Sequence, residues 1–76
     1  MSKTVKVDKD YVEKVVKEDL SRKYPDIKEL EFQYVLRQYR KDWVAIGVFS
    51  TSRGFRKAFM YFIDGETGEV LGFTIS

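Results

Sequence analysis

The chain of 76 residues has no cysteine, no histidine and no asparagine, and only one proline and one tryptophan. Without cysteine it forms no disulfide, and without histidine or cysteine it lacks the ordinary donors of a structural zinc site. The same absences remove the usual nucleophile, base and metal constellations of enzymes, so the expectation is a non-catalytic protein with no cofactor. Lack of cysteine is compatible with any redox compartment. No apolar run reaches the ~20 residues that span a bilayer as a helix. The opening MSKTVKVDKDYVEKVV has no apolar signal-like stretch, and a soluble, cytoplasmic chain is expected. Fourteen basic residues against twelve acidic ones leave a net charge of +2, too small to imply nucleic-acid binding by bulk electrostatics. The absence of asparagine, beside abundant Lys, Arg and Glu, leans toward a thermophilic source or a designed chain.

What is present is an apolar content of 43%, with 16% aromatic residues, in a length that holds one core. The expectation is a single domain over residues 1–76. A core of this size rarely leaves more than ~3–5 kcal/mol of net stability, and with disulfides and zinc excluded, oligomerisation is the remaining common support. Residues 8–24 read as a helix. Asp8 caps it, Val7 and Val12 can close a hydrophobic staple, and Val12, Val16 and Leu20 share a face with Val15 beside them. The residue before Pro25 is pushed out of helical geometry, which ends the helix at Tyr24. The period then changes to two. Strands are expected at about 29–37, 43–50, 55–63 and 69–75, with Tyr39, Arg40 and Lys41 as the first turn. A helix followed by four hairpin-linked strands is an α+β fold, with the N-terminal helix packed on one face of a four-stranded antiparallel meander.

The hairpin chemistry assigns the faces. IDGETGEV fits a four-residue loop with Asp64 opposite Glu69 and Gly68 left-handed, and Ser52, Arg53 and Gly54 fit a three-residue loop. Continued along the strands, this register sets Phe62 against Leu71 and Met60 against Phe73. One face then carries Leu30, Phe32, Tyr34, Leu36, Val44, Ile46, Val48, Ala58, Met60, Phe62, Leu71, Phe73 and Ile75, and is assigned to the helix. The reverse carries Trp43, Ala45, Gly47, Phe49, Phe59, Tyr61, Ile63, Val70 and Gly72. One helix shields one face, so an exposed aromatic patch is expected there.

The helix, the Tyr24-Pro25-Asp26 break, the antiparallel strands and the closing Asp64-Gly65-Glu66-Thr67-Gly68-Glu69-Val70 hairpin together resemble the PepSY family over roughly residues 11–75. The resemblance implies a small non-catalytic module, in some members part of a peptidase propeptide, that inhibits or regulates a partner enzyme. Members usually sit outside the cytoplasm behind a signal or membrane segment, which this sequence does not show.

Three uses suit the expected aromatic patch of Trp43, Phe49, Phe59, Tyr61 and Ile63. It can bury itself in a homodimer, as in a protein that serves assembly alone, or dock another protein such as an inhibited enzyme. It can also stack single-stranded nucleic acid, with Arg53 and Lys57 on the phosphates. The first two are preferred and the third is the alternative, because the net charge is low. A basic end is expected where Arg22, Lys23, Lys28, Arg53, Arg56 and Lys57 gather, which is also what a solvated surface near a helix C-terminus looks like. Asp64, Glu66 and Glu69 could be taken for calcium ligands, but a tight hairpin splays them apart, and the turn reading is preferred.

Overall fold

The computed structural model describes residues 6–38 and 42–76. The expected first turn, Tyr39 to Lys41, lies outside them, as do residues 1–5. Helix α1 spans Lys9–Lys23 and is followed by strands β1 (Ile27–Gln38), β2 (Asp42–Thr51), β3 (Arg56–Ile63) and β4 (Val70–Ile75). The strands lie in the order β1-β2-β3-β4, each antiparallel to its neighbour, and the helix packs on one face. This is the α+β meander that the periodicity predicts.

Local chemistry sets the boundaries. The Asp8 carboxylate accepts a hydrogen bond from the Tyr11 amide at 2.9 Å, satisfying one of the free donors at the helix start. At the other end Tyr24 leaves helical geometry at φ −128°, ψ 85°, while its amide still donates to the Leu20 carbonyl at 2.8 Å. Val12, Val16 and Leu20, at i, i+4 and i+8, form the buried stripe of the helix.

The helix covers the face opposite to the one expected. Val12, Val16 and Leu20 form one buried cluster with Ala45, Phe49, Phe59, Tyr61 and Ile63, and Trp43, Val35, Leu30 and Phe32 pack against it. The register of the middle hairpin is as read from the turn, with Val44 opposite Phe62, Ile46 opposite Met60 and Val48 opposite Ala58. That whole set, however, faces away from the helix. Both faces of β2 and β3 are apolar, so alternation alone does not choose between them. Area does: Trp43, Phe49, Phe59 and Tyr61 together remove more apolar surface from water than the mainly aliphatic set of Val44, Ile46, Val48, Ala58, Met60 and Phe62 on the reverse face. Ala45 and Gly47 also leave room for close packing. A Cβ on Gly47 would come within 2.7 Å of the Phe59 ring and 2.1 Å of the Glu31 carbonyl oxygen.

Two irregularities redistribute the outer strands. In β1 the register shifts between Phe32 and Tyr34, so Leu30 and Phe32 align with Phe49 and Gly47 on the helix side, while Tyr34 and Leu36 align with Ile46 and Val44 on the other. In β4 the shift falls between Val70 and Gly72. Phe62 therefore meets Gly72, Met60 meets Thr74, and Phe73 and Ile75 join Tyr61 and Phe59 on the helix side. The expected pairings of Phe62 with Leu71 and Met60 with Phe73 are replaced accordingly.

Candidate functional site

The expected partner-binding residues are core residues. Phe59 is 2% exposed and Tyr61 and Ile63 are fully buried, as is Phe49 to within 2%. Phe59 sits among rings, edge-on to Phe32 with centroids 5.6 Å apart, and 6.3 Å and 6.1 Å from Phe49 and Tyr61. Tyr24 closes over Phe49 at 5.0 Å. Trp43 is half-buried against the same cluster, with its Nε1 buried and unpartnered among the described residues. The rings on which bases would stack therefore lie beneath the helix.

The phenol of Tyr61 crosses the core to the helix and donates to Asp19 Oδ2 at 2.5 Å. The same carboxylate accepts from Lys23 Nζ at 2.5 Å and from Arg22 at 3.1 Å. Partial burial opposes ionisation of Asp19, but the hydrogen bonds from Lys23, Tyr61 and Arg22 and the Lys23 charge outweigh it and hold the carboxyl below its ordinary range. Burial first, then the hydrogen bond and charge of Asp19, push the Tyr61 phenol well above its ordinary value. Lys23 Nζ also lies 4.2 Å from the centroid of Phe73, whose ring stacks on Tyr61 at 5.4 Å. This network ties the helix C-terminus to β3 and β4. Its acid and its phenol are both engaged with each other, so it reads as a structural clasp.

The basic residues share an end but not a surface. Ser52 N donates to the Asp26 carbonyl at 2.9 Å, which joins the β2–β3 hairpin tip to the helix–β1 connection. Arg22 and Lys23 are held by Asp19, and Arg53 Nε lies 4.0 Å from Asp26. Lys28 is exposed at the start of β1. Arg56 and Lys57, adjacent in β3, belong to opposite faces of the sheet, with Lys57 opposite Phe49 and Arg56 opposite Ser50.

The acidic hairpin is organised as a turn. Asp64 Oδ1 accepts from the Glu66 and Thr67 amides at 2.7 and 3.1 Å, Thr67 Oγ1 accepts from the Glu69 amide at 3.2 Å, and the Asp64 amide donates to the Glu69 carbonyl at 2.8 Å. Gly68 has φ +79° and is packed so closely on Tyr11 that an added Cβ would lie 2.5 Å from that ring. Among the described residues no group of three or more acidic side chains is placed to hold a metal ion.

The surface without a cover is the other side of the sheet. From one end to the other, Glu29 aligns with Ser50 and Arg56; Glu31 with Val48 and Ala58; Tyr34 with Ile46, Met60 and Thr74; and Leu36 with Val44, Phe62 and Gly72. Three consecutive rows are thus predominantly apolar, with charge confined to the margins. Tyr34 and Leu36 are each 59% exposed and Met60 36%. A depression of about 460 Å³ at the polar end is lined by Glu29, Glu31, Val48, Ser50 and Arg56, among others. The sequence alone assigns Tyr34, Leu36, Val44, Ile46, Val48, Met60 and Phe62 of this surface to the helix-covered core. The signal that could have reversed the assignment was the Ala45-x-Gly47 pair, small residues flanked by large rings on one face, which marks the closely packed side.

No helix among the described residues is long and apolar enough to cross a membrane. No family model, no curated protein and no solved structure matches the chain.

Proposed function

We propose that this protein is a small, non-catalytic interaction module, regulatory or inhibitory in kind, that works through the open apolar face of its sheet and associates with itself there. The observation that carries the reading is the set of three adjoining rows containing Tyr34, Leu36, Val44, Ile46, Val48, Met60 and Phe62, on which no element of the described chain packs. Contiguous apolar surface of this kind is uncommon on proteins that act alone and marks an interface. The small core adds a second reason, since association supplies stability that a chain of this length otherwise lacks. The helix, the Tyr24-Pro25 break and the closing hairpin keep the PepSY-like reading as the model for what such a module does: occupy a partner's surface and perform no chemistry.

Because the sequence contains no cysteine, a single introduced thiol reports on one surface. Thr74→Cys lies in an open-face row and Lys17→Cys lies on the exposed side of the helix. On raising the protein concentration through the micromolar range, alkylation of Thr74→Cys slows while that of Lys17→Cys does not. Equal, concentration-independent rates at both positions would count against the reading.

A further inference from the structure

The open face is lopsided, and the asymmetry specifies how it is covered. Its β1 side carries the projecting side chains Tyr34 and Leu36, and its β4 side carries Thr74 and Gly72 in the same two rows. Above Gly72 there is open space: a Cβ built there meets nothing within 4 Å. We infer that a second copy of this chain covers the face, sheet on sheet, about a two-fold axis that runs along the strands between β2 and β3. This inference rests on the reading that the open face is an interface between copies.

A two-fold interface must be complementary to itself. Packed sheets keep their strands within about 30° of each other, which leaves two in-plane axes, one along the strands and one across them. The axis along the strands preserves the rows, lays β1 over β4 of the second copy, and lays β2 over β3. Tyr34 and Leu36 then project onto Thr74 and Gly72, so the bulk of β1 meets the space of β4 in both rows, while Ile46 meets Met60 and Val44 meets Phe62 in apolar contact at the centre. The axis across the strands lays β1 over β1 and β4 over β4. It sets the projecting side against itself and leaves a gap along β4.

Charge selects the same axis. Arg56, Glu29 and Glu31 are exposed at one end of the face and make no ion pair among the described residues. Within one copy Glu29 and Arg56 stand on β1 and β3, about 10 Å apart at two strand spacings. Under the axis along the strands, Arg56 comes to lie over Ser50 of the second copy, offset sideways by one spacing of ~4.8 Å from its Glu29, and it faces that Glu29 and Glu31 across the ~10 Å between packed sheets, a gap that the opposed side chains close from both sides. The dyad makes this contact twice. The axis across the strands would carry these residues to the far end of the opposing sheet. The area is also adequate. Four strands at ~4.8 Å and eight residues at ~3.3 Å give roughly 500 Å² in plan, and side-chain relief brings the accessible area toward the ~800 Å² per partner of a standard interface.

The test uses Leu36→Cys and Gly72→Cys. Within one copy these positions share a row on the two outermost strands, about 14 Å apart, too far for a disulfide. Packed sheets stand ~10 Å apart, beyond the reach of a disulfide, so an equal mixture of the two single variants is treated with a bismaleimide that spans about 8 Å; it is expected to give a covalent dimer containing one of each, while neither variant alone cross-links. Leu36→Cys dimers linking like to like would overturn the inferred axis. So would the absence of mixed cross-links in a sample that sediments as a dimer, an outcome that leaves the broader interface reading standing. A sample that sediments as a monomer overturns both. As a second readout, Arg56→Glu is expected to weaken association roughly fivefold through two exposed pairs, and adding Glu29→Arg to restore it. Failure of the charge reversal to restore association would contradict the placement of Arg56 over the partner's Glu29.

Discussion

Phe59 and Met60 are adjacent in β3, both large and apolar, and face opposite sides of the sheet, so truncating each to alanine measures which side is the core. Phe59 is 2% exposed and touches the rings of Phe32, Phe49 and Tyr61. Removing a buried Phe side chain costs about 3–5 kcal/mol, part of it transfer and part the cavity left among rings that cannot close in. A domain of this size holds only ~3–5 kcal/mol in all. Phe59→Ala should therefore be largely unfolded at room temperature, or melt at least ~15 °C lower if the parent is unusually stable. Met60 is 36% exposed and, within one copy, packs only on its sheet neighbours. Met60→Ala should cost about 1 kcal/mol or less in the monomer. Urea titration followed by circular dichroism, at protein concentrations low enough to dissociate any dimer, separates the two. Equal costs, or a larger cost at Met60, would refute the placement of the helix over the aromatic face.

The Tyr61–Asp19 clasp gives stability a dependence on pH at both extremes. Asp19 ionises below its ordinary 3.8 in the folded protein, so its contribution is present above that value and is lost as pH falls through the lower folded value; Asp19→Asn should flatten that acid limb in a denaturation series. The Tyr61 phenol is held protonated, so its contribution is intact below about 10 and is lost as pH rises beyond it; Tyr61→Phe should remove the alkaline limb and cost about 1.5–3 kcal/mol at neutral pH. The glycines of the last hairpin should differ sharply. Gly68→Ala combines a left-handed φ of +79° with a clash on Tyr11 and should cost more than about 1 kcal/mol, whereas Gly72→Ala, with open space above it, should leave monomer stability nearly unchanged; thermal melts of the two compare them directly.

The element order was legible because its signals are local: Asp8 at the helix start, Pro25 beyond its end, Gly54 and Gly68 in the turns, and alternation between them. The middle register was legible for the same reason, since a three-residue loop at Ser52 to Gly54 leaves one pairing that puts Val48 opposite Ala58. The identity of the faces was not legible, because Val44, Ile46 and Val48 alternate with Trp43, Ala45, Gly47 and Phe49, and period two is satisfied whichever set is buried. The bulges at Gln33 and Leu71 were hidden as well. A bulge inserts one residue without a distinctive side chain, and it moves every later residue of its strand to the other face. Tyr34 and Leu36 therefore read as continuations of Leu30 and Phe32, although they lie on the surface that we assign to function. The clasp between Tyr61 and Asp19 spans 42 positions and required the fold before it could be seen.

Sedimentation equilibrium of the wild type and of Met60→Glu shows whether copies of this protein meet through the face opposite the helix. That substitution sets a charge in the middle of the apolar rows without entering the core. The wild type is expected to dimerise in the micromolar range, and the variant to keep its helix and sheet signal but sediment as a monomer; the proposal that the open face joins two copies rests on that difference. A wild type that remains monomeric at these concentrations, or a folded variant that dimerises as strongly as the wild type, would contradict it.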